Sequence, residues 1–262
     1  MQTISASSAG SSSRALAALL LAALVVTERR ATVPLLPTVL LHDRSRVGAL
    51  IVTTAVFAGQ FAMFFLGVQY VQRVLGFSPL AAGAAFLPMT AGILTTSRLA
   101  PGLVARFGAR ALLITGTTGL VACFAWLSLA DARSSYATAV FGPVLLNGLA
   151  AGLTFMPAAS LVLGRVAPQQ AGAASGMLQT VQQLGGAIGL AVIASVYASR
   201  AVPGQFVPGF GPALLTCSGF ALLSVLAAVL VVPRRHEAHH EPIVDAAPEP
   251  TELTGASARR AS

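Results

Sequence analysis

Six stretches of this chain are long and apolar enough to cross a lipid bilayer, and no other feature constrains its fold as strongly. They are 47–71, 80–98, 111–130, 136–160, 171–198 and 212–232. A spanning helix needs about 20 apolar residues, because the hydrocarbon core is about 30 Å thick and each residue rises about 1.5 Å. Composition agrees. Charged residues make up 9% of the chain, hydrophobic residues 55%, and mean hydropathy is +0.79. A soluble domain usually carries about 25% charged residues, so a globule of this composition lacks the polar surface to cover itself. The expected fold is all-α: a polytopic membrane helical bundle, with the lipid bilayer as its first partner.

A seventh stretch, 14–26 (RALAALLLAALVV), reaches spanning length only if the Ser-rich segment before it joins the helix. It is not expected to be a signal peptide, because TERRATVP offers no small-x-small cleavage site. The segment 233–262 has no apolar period and is expected to be a disordered tail. The chain thus divides into a Ser-rich N-terminus with its helix and connection (1–46), a six-helix body (47–232) and the tail (233–262).

The net charge of +8 and the pI of 11.2 do not indicate nucleic acid. The basic residues, all 16 of them arginine, are scattered between apolar runs with no basic stripe and no interleaved aromatics. Cys123 and Cys217 lie inside apolar spans and read as small buried hydrophobes. His236, His239 and His240, with Glu237 and Glu241, sit in the tail, where no fold holds them, so no metal site is expected. No nucleophile–base pair, phosphate loop or cofactor motif is present, so neither an enzyme nor a cofactor is expected.

The arginines orient the chain. With a cytoplasmic C-terminus, Arg29, Arg30, Arg44, Arg46, Arg98, Arg106, Arg110, Arg165, Arg234 and Arg235 fall on the cytoplasmic side. Arg14, Arg73, Arg133 and Arg200 fall on the other. That bias over short connections follows the positive-inside rule. It places the connection PGLVARFGAR (101–110) in the cytoplasm. There Pro101 and Gly102 are expected to break the preceding helix, and Gly108 to allow a tight turn. Arg106 and Arg110 are expected to meet helix carbonyls and acidic headgroups.

Amides pick out the inward helices. Asn147 is the one asparagine, and within the spans glutamine occurs at Gln60, Gln69, Gln179, Gln182 and Gln183. An amide facing lipid is costly. Spans 47–71, 136–160 and 171–198 are therefore expected to face inward, and 111–130 and 212–232, without amides, to face lipid. Three G-x-x-x-G pairs, Gly148–Gly152, Gly172–Gly176 and Gly185–Gly189, are expected to be packing seams.

The stretch PGLVARFGARALLITG resembles the G-x-L-x-D-R-x-G-R-R loop of the major facilitator superfamily, in the weaker copy of its second half. Gly102, Leu103, Arg106, Gly108 and Arg110 match, while Ala105 stands where the family has Asp. ERRATVPLLP (28–37), VLGFSPLAAGAAFLPMTAG (74–92), GLAAGLTFMPAA (148–159) and AGAASGMLQTVQQLGGAIGLAV (171–192) look like the fourteen-helix drug:proton antiporter branch. The resemblance covers about residues 14–232. It implies the last linker helix plus the C-terminal six-helix half, with the N-terminal half missing from this chain. It implies a bacterial inner-membrane transporter that expels lipophilic small molecules by proton antiport once joined to that half. The matching cytoplasmic gate residues are Arg98, Arg106, Gly108 and Arg110, although without the Asp the acidic partner of the gate is absent.

Within this frame Gln60, Phe64, Asn147, Phe155 and Gln179 are expected to line the substrate side, since apolar walls with few orienting groups suit bulky lipophilic drugs. The alternatives are interhelical hydrogen bonding for the glutamines and packing for the phenylalanines. The acids are Glu28, Asp43, Asp131, Glu237, Glu241, Asp245, Glu249 and Glu252, and none lies mid-membrane. A proton antiporter needs a titratable group in its path, so this chain alone is not expected to couple drug movement to protons. A second class remains: a non-transporting fragment, or a membrane partner that assembles with a separately encoded half.

Overall fold

The structure is a computed structural model that describes residues 43–164, 166, 170–200 and 207–232. Among these residues, six helices are long and apolar enough to span a membrane: α1 (Arg44–Arg73), α2 (Pro79–Phe107), α3 (Ala109–Leu127), α4 (Ala137–Leu163), α5 (Ala171–Arg200) and α6 (Val207–Leu230). Each contains or closely overlaps one of the six apolar runs. The linker-helix segment 14–26 and the tail 233–262 lie outside the described residues.

Local chemistry explains the helix ends. Asp43 precedes α1, and its carboxylate accepts the Ser45 N–H at 2.8 Å. The Ser78 hydroxyl accepts the Ala81 N–H at 3.3 Å, and Pro79 opens α2 at a position where no N–H is needed. Within α2 the helix breaks at Phe86, with φ −97° and ψ 1°. Pro88 causes the break, because it has no N–H to offer the Ala84 carbonyl and its ring would collide there. Met89 N–H then turns to the Phe86 carbonyl at 3.1 Å. The released Ala85 carbonyl accepts the Tyr136 hydroxyl at 2.7 Å.

The arginine-bearing connection differs from expectation. Pro101 and Gly102 do not end the helix; α2 runs through both to Phe107. Pro101 removes one donor, and membrane helices tolerate such a loss where neighbouring groups or water take over the freed carbonyl. The chain reverses on a single residue, Gly108, at φ +82° and ψ 153°. That backbone region is essentially open only to glycine. Gly108 N–H closes the end of α2 on the Val104 carbonyl at 2.8 Å.

α1 and α4 form the centre. α5 and α6 pack on α1, α2 and α3 pack on α4, and α3 and α6 pack on one another behind. Exchanging α1–α3 for α4–α6 preserves this pattern. Glycines set the close approaches. A Cβ on Gly185 or Gly189 would collide with the α1 backbone at Thr54 or Ala58. One on Gly148 would collide with the Met89 backbone of α2, and one on Gly152 with Thr96. Two of the three G-x-x-x-G pairs are thus packing seams. A Cβ on Gly172 or Gly176 would meet nothing within 4 Å among the described residues. The core behind the central pair holds Tyr70, Leu120, Phe124, Phe210 and Leu214, all fully buried, with Cys123 and Cys217 beside them. The Cys123 thiol points at the Pro143 carbonyl, 3.1 Å away.

Burial ranks the helices differently from the amide count. In α1 and α4, 56% of the most apolar window is buried, against 28% in α2 and 22% in α5. α5 carries three glutamines yet is the least covered helix. α3 and α6 form the back layer at 44% each, with Trp126, Leu222 and Leu226 turned outward.

Candidate functional site

The side of the bundle where α1 and α4 meet between α2 and α5 carries most of the residues singled out from the sequence. Gln60 and Asn147 are in direct contact. Gln60 Nε2 donates to Asn147 Oδ1 at 2.8 Å, and Asn147 Nδ2 donates back to Gln60 Oε1 at 3.2 Å. Asn147 is fully buried, whereas Gln60 is half-buried. The pair links the two central helices, and only its Gln60 side is open.

Phe155 stacks on Phe57, with ring centroids 5.0 Å apart, so a second contact joins α4 to α1, under one turn from Gln60 on α1 and about two turns from Asn147 on α4. Phe57 in turn lies 6.0 Å from Phe61. Phe61 packs where a Cβ on Gly186 would sit, which joins this aromatic run to α5. Phe64 is exposed and turns to Phe86 of α2, at 5.1 Å. Gln179 is exposed and takes no part in the mutual hydrogen bonds of Gln60 and Asn147. Its spacing to Gln183 and Gly186, four and seven residues, puts it on the helix face that meets Phe61. The front therefore offers an apolar, aromatic wall built by Phe57, Phe61, Phe64 and Phe155, with the Gln60 amide in its middle and glutamines on one flank.

Sequence reasoning passed over Phe61. Its signal was the i, i+4 spacing from Phe57 together with Gly186 on the facing helix, and that pairing is visible only once α1 and α5 are adjacent. It also passed over Arg46 as anything but an orienting charge. Arg46 is buried, and its guanidinium donates from Nε to the Val162 carbonyl at 3.1 Å and from Nη2 to the Gly164 carbonyl at 3.3 Å.

The gate residues are dispersed along helix ends. Arg98 is exposed within α2, nine residues before its end, and so lies about 13 Å from that end along the axis. Arg106 sits in the last turn of α2, its guanidinium 5.3 Å from the Phe107 ring centroid. Arg110, at the start of α3, donates to the Ala228 carbonyl at 3.4 Å and to the Val229 carbonyl at the end of α6. That placement satisfies carbonyls left unpaired at a helix C-terminus and opposes the negative end of its dipole.

Among the described residues the carboxylates are Asp43 and Asp131, both exposed and both outside the six helices. Asp131 accepts from the Ser134 hydroxyl at 2.9 Å and the Arg133 N–H at 2.8 Å. These bonds hold its carboxyl below the usual range. No group of three or more His, Cys, Asp or Glu side chains suited to a metal occurs among the described residues.

Comparison with known proteins bears directly on this arrangement. The family model described as Major Facilitator Superfamily matches residues 7–190. The puromycin resistance protein of Streptomyces alboniger is 32% identical over 242 residues, covering 86% of this chain and 48% of that protein. The cephamycin export protein of Amycolatopsis lactamdurans is 34% identical over 215 residues, covering 80% of this chain and 44% of that protein. A multidrug resistance protein of Mycobacterium tuberculosis is 30% identical over 227 residues, covering 82% and 41%. The chain spans a little under half the length of each of these relatives.

Proposed function

The chain belongs to the major facilitator superfamily, and from that premise we propose that its six helices serve as the C-terminal half of a proton-coupled exporter of lipophilic small molecules. The observation that carries this reading is the aromatic front of α1 and α4 with a single open amide at Gln60. Such a wall receives apolar bodies and orients them with few polar contacts. Gln60, Phe64, Phe155 and Gln179 would touch substrate, and Asn147 would act through Gln60, which it holds in place. The relatives, named for puromycin resistance, cephamycin export and multidrug resistance, support the same substrate class.

In this reading the uncovered faces of α2 and α5 receive a second six-helix half, and alternating access is the rocking of one half against the other. The proton-carrying carboxylate would come from that half, because Asp43 and Asp131 both lie outside the membrane-spanning helices. The ends carrying Arg44, Arg46, Arg106 and Arg110 would face the cytoplasm of a bacterial plasma membrane, where Arg98, Arg106, Gly108 and Arg110 would shape the cytoplasmic gate.

The test is efflux of a lipophilic cationic dye from energised, drug-susceptible bacteria. The chain is expressed alone and together with the N-terminal half of a related exporter. Protonophore-sensitive efflux only with both halves present is the expected result. No efflux despite a stable complex of the two would overturn the export reading and favour a non-transporting membrane partner instead.

A further inference from the structure

α5 brings free polar groups to the edge of the aromatic front. Gln179 and Gln183 stand one turn apart and both are exposed. They precede Gly186 by seven and three residues, so all three share the face of α5 that meets Phe61. α1 and α5 run side by side in the same direction, with Gly185 against Thr54 and Gly189 against Ala58. The two glutamines therefore lie nearer the starts of these helices than Phe57 and Phe61 do. At that level α1 adds the side chain of Ile51, 45% exposed.

The amides of this front are not equivalent. Gln60 already gives Nε2 and Oε1 to Asn147. Gln179 and Gln183 make no side-chain hydrogen bond to another described residue. Their neighbour Thr180 turns its hydroxyl back to the Gly176 carbonyl at 2.8 Å and does not compete for them. Each free amide offers two donors and an acceptor, and leaving it against lipid is costly. An apolar wall discriminates weakly between ligands of similar size, whereas a hydrogen-bonding edge rejects a ligand without matching groups.

We propose that Gln179 and Gln183 determine which lipophilic molecules the front accepts. The favoured class is an amphiphile that lays a flat apolar body on Phe57, Phe61 and Phe155. It turns an edge of amide, amine or hydroxyl groups to α5. Gln183 lies nearer the aromatic wall and takes the first polar group. Gln179, about 6 Å further along the helix, takes a second on a longer ligand. Gln60 touches the apolar body and leaves the choice to α5, because its amide is engaged with Asn147. The inference rests on the export reading and names its substrate class.

The test measures equilibrium binding of two radiolabelled probes to the purified complex of the full chain with the N-terminal half of a related exporter. Puromycin carries amide, amine and hydroxyl groups beside an aromatic ring. Tetraphenylphosphonium carries four rings and no hydrogen-bonding group. Gln183→Leu and Gln179→Leu keep the side-chain bulk and remove the amide. Each is expected to weaken puromycin binding several-fold and leave tetraphenylphosphonium binding unchanged, while Phe61→Ala weakens both. A parallel loss of both probes in the leucine variants would overturn the assignment and make the glutamines contacts between the halves. Unchanged puromycin binding would overturn it too, as would an unaltered complex that binds tetraphenylphosphonium alone. If a leucine variant does not assemble, the alanine variant is read in the same way. An unaltered complex that binds neither probe would instead bring down the export reading itself.

Discussion

The side-chain amides of Gln60 and Asn147, 87 residues apart, exchange both of their possible mutual hydrogen bonds. They form a polar side-chain bridge between α1 and α4 at mid-helix. The pair is asymmetric, since Asn147 is fully buried and Gln60 is partly open to the front.

That asymmetry separates two substitutions. Either Gln60→Ala or Asn147→Ala removes an interhelical hydrogen bond of about 0.6–2 kcal/mol in a membrane. Asn147→Ala leaves an amide that can turn to water at the front, whereas Gln60→Ala strands a buried amide and costs more. A double-mutant cycle on thermal unfolding in detergent should give a coupling on the order of 1 kcal/mol. A coupling near zero would mean the pair does not hold the helices together.

The glycine seams divide the G-x-x-x-G pairs into two kinds. Gly148→Leu or Gly189→Leu forces backbone against side chain at Met89 or Ala58, and should cost at least about 1–3 kcal/mol. Gly172→Ala and Gly176→Ala meet nothing among the described residues and should stay within about 0.5 kcal/mol. Retention of monodisperse protein after heating distinguishes the two groups.

Gly108 and Pro101 should behave in the opposite way to a reading in which proline makes the turn. Gly108→Ala places a Cβ at φ +82° and should cost roughly 1–3 kcal/mol. Pro101→Ala restores a helical N–H inside α2 and should not destabilise. Circular-dichroism melting of both variants in the same detergent checks this. A stable Gly108→Ala variant would mean that the reversal does not need glycine.

Exposed and buried phenylalanines should separate binding from folding. Phe61 is 42% exposed, so Phe61→Ala should weaken binding of a lipophilic cation several-fold while leaving the folded yield unchanged. Phe124 is fully buried against Gly59, so Phe124→Ala should cost about 3–5 kcal/mol and reduce the folded yield itself. Dye-binding titration of the complex with a second half, beside its yield, tells the two apart.

Asp131 gives a narrow pH dependence. The Ser134 hydroxyl and then the Arg133 N–H lower its carboxyl pKa. A lowered carboxylate contributes stability that is complete above the ordinary carboxylate range and lost as pH falls through the lowered value. The turn 131–134 should therefore be unchanged from neutral pH down to about pH 5 and loosen only in stronger acid. Amide exchange at Arg133 and Ser134 measures it, and protection lost already near neutrality would contradict the assignment.

Much of the architecture was legible in particular residues. The apolar runs located all six helices, because a helix in lipid must hide its backbone and show apolar side chains whatever it packs against. Gln60 and Asn147 correctly marked α1 and α4 as central, because two amides in a bilayer need each other or water. The same argument marked α5, yet its glutamine face is largely uncovered within this chain, since an amide count says which face avoids lipid and not what covers it. Pro101 misled because proline's local preference yields where water or neighbours can satisfy one freed carbonyl.

The sequence by itself determined the membrane class and the location of the six described helices, and it marked three of them as facing inward. Only the tertiary structure decided which residues meet: Gln60 with Asn147, Phe57 with Phe155, Gly186 with Phe61, and Arg46 with the last carbonyls of α4. Hydropathy and periodicity describe the faces a single helix presents, and those follow from its own residues. The pairing of faces is a property of two helices far apart in sequence. It is settled by shape at glycine seams and by the need of each buried donor and acceptor for a partner.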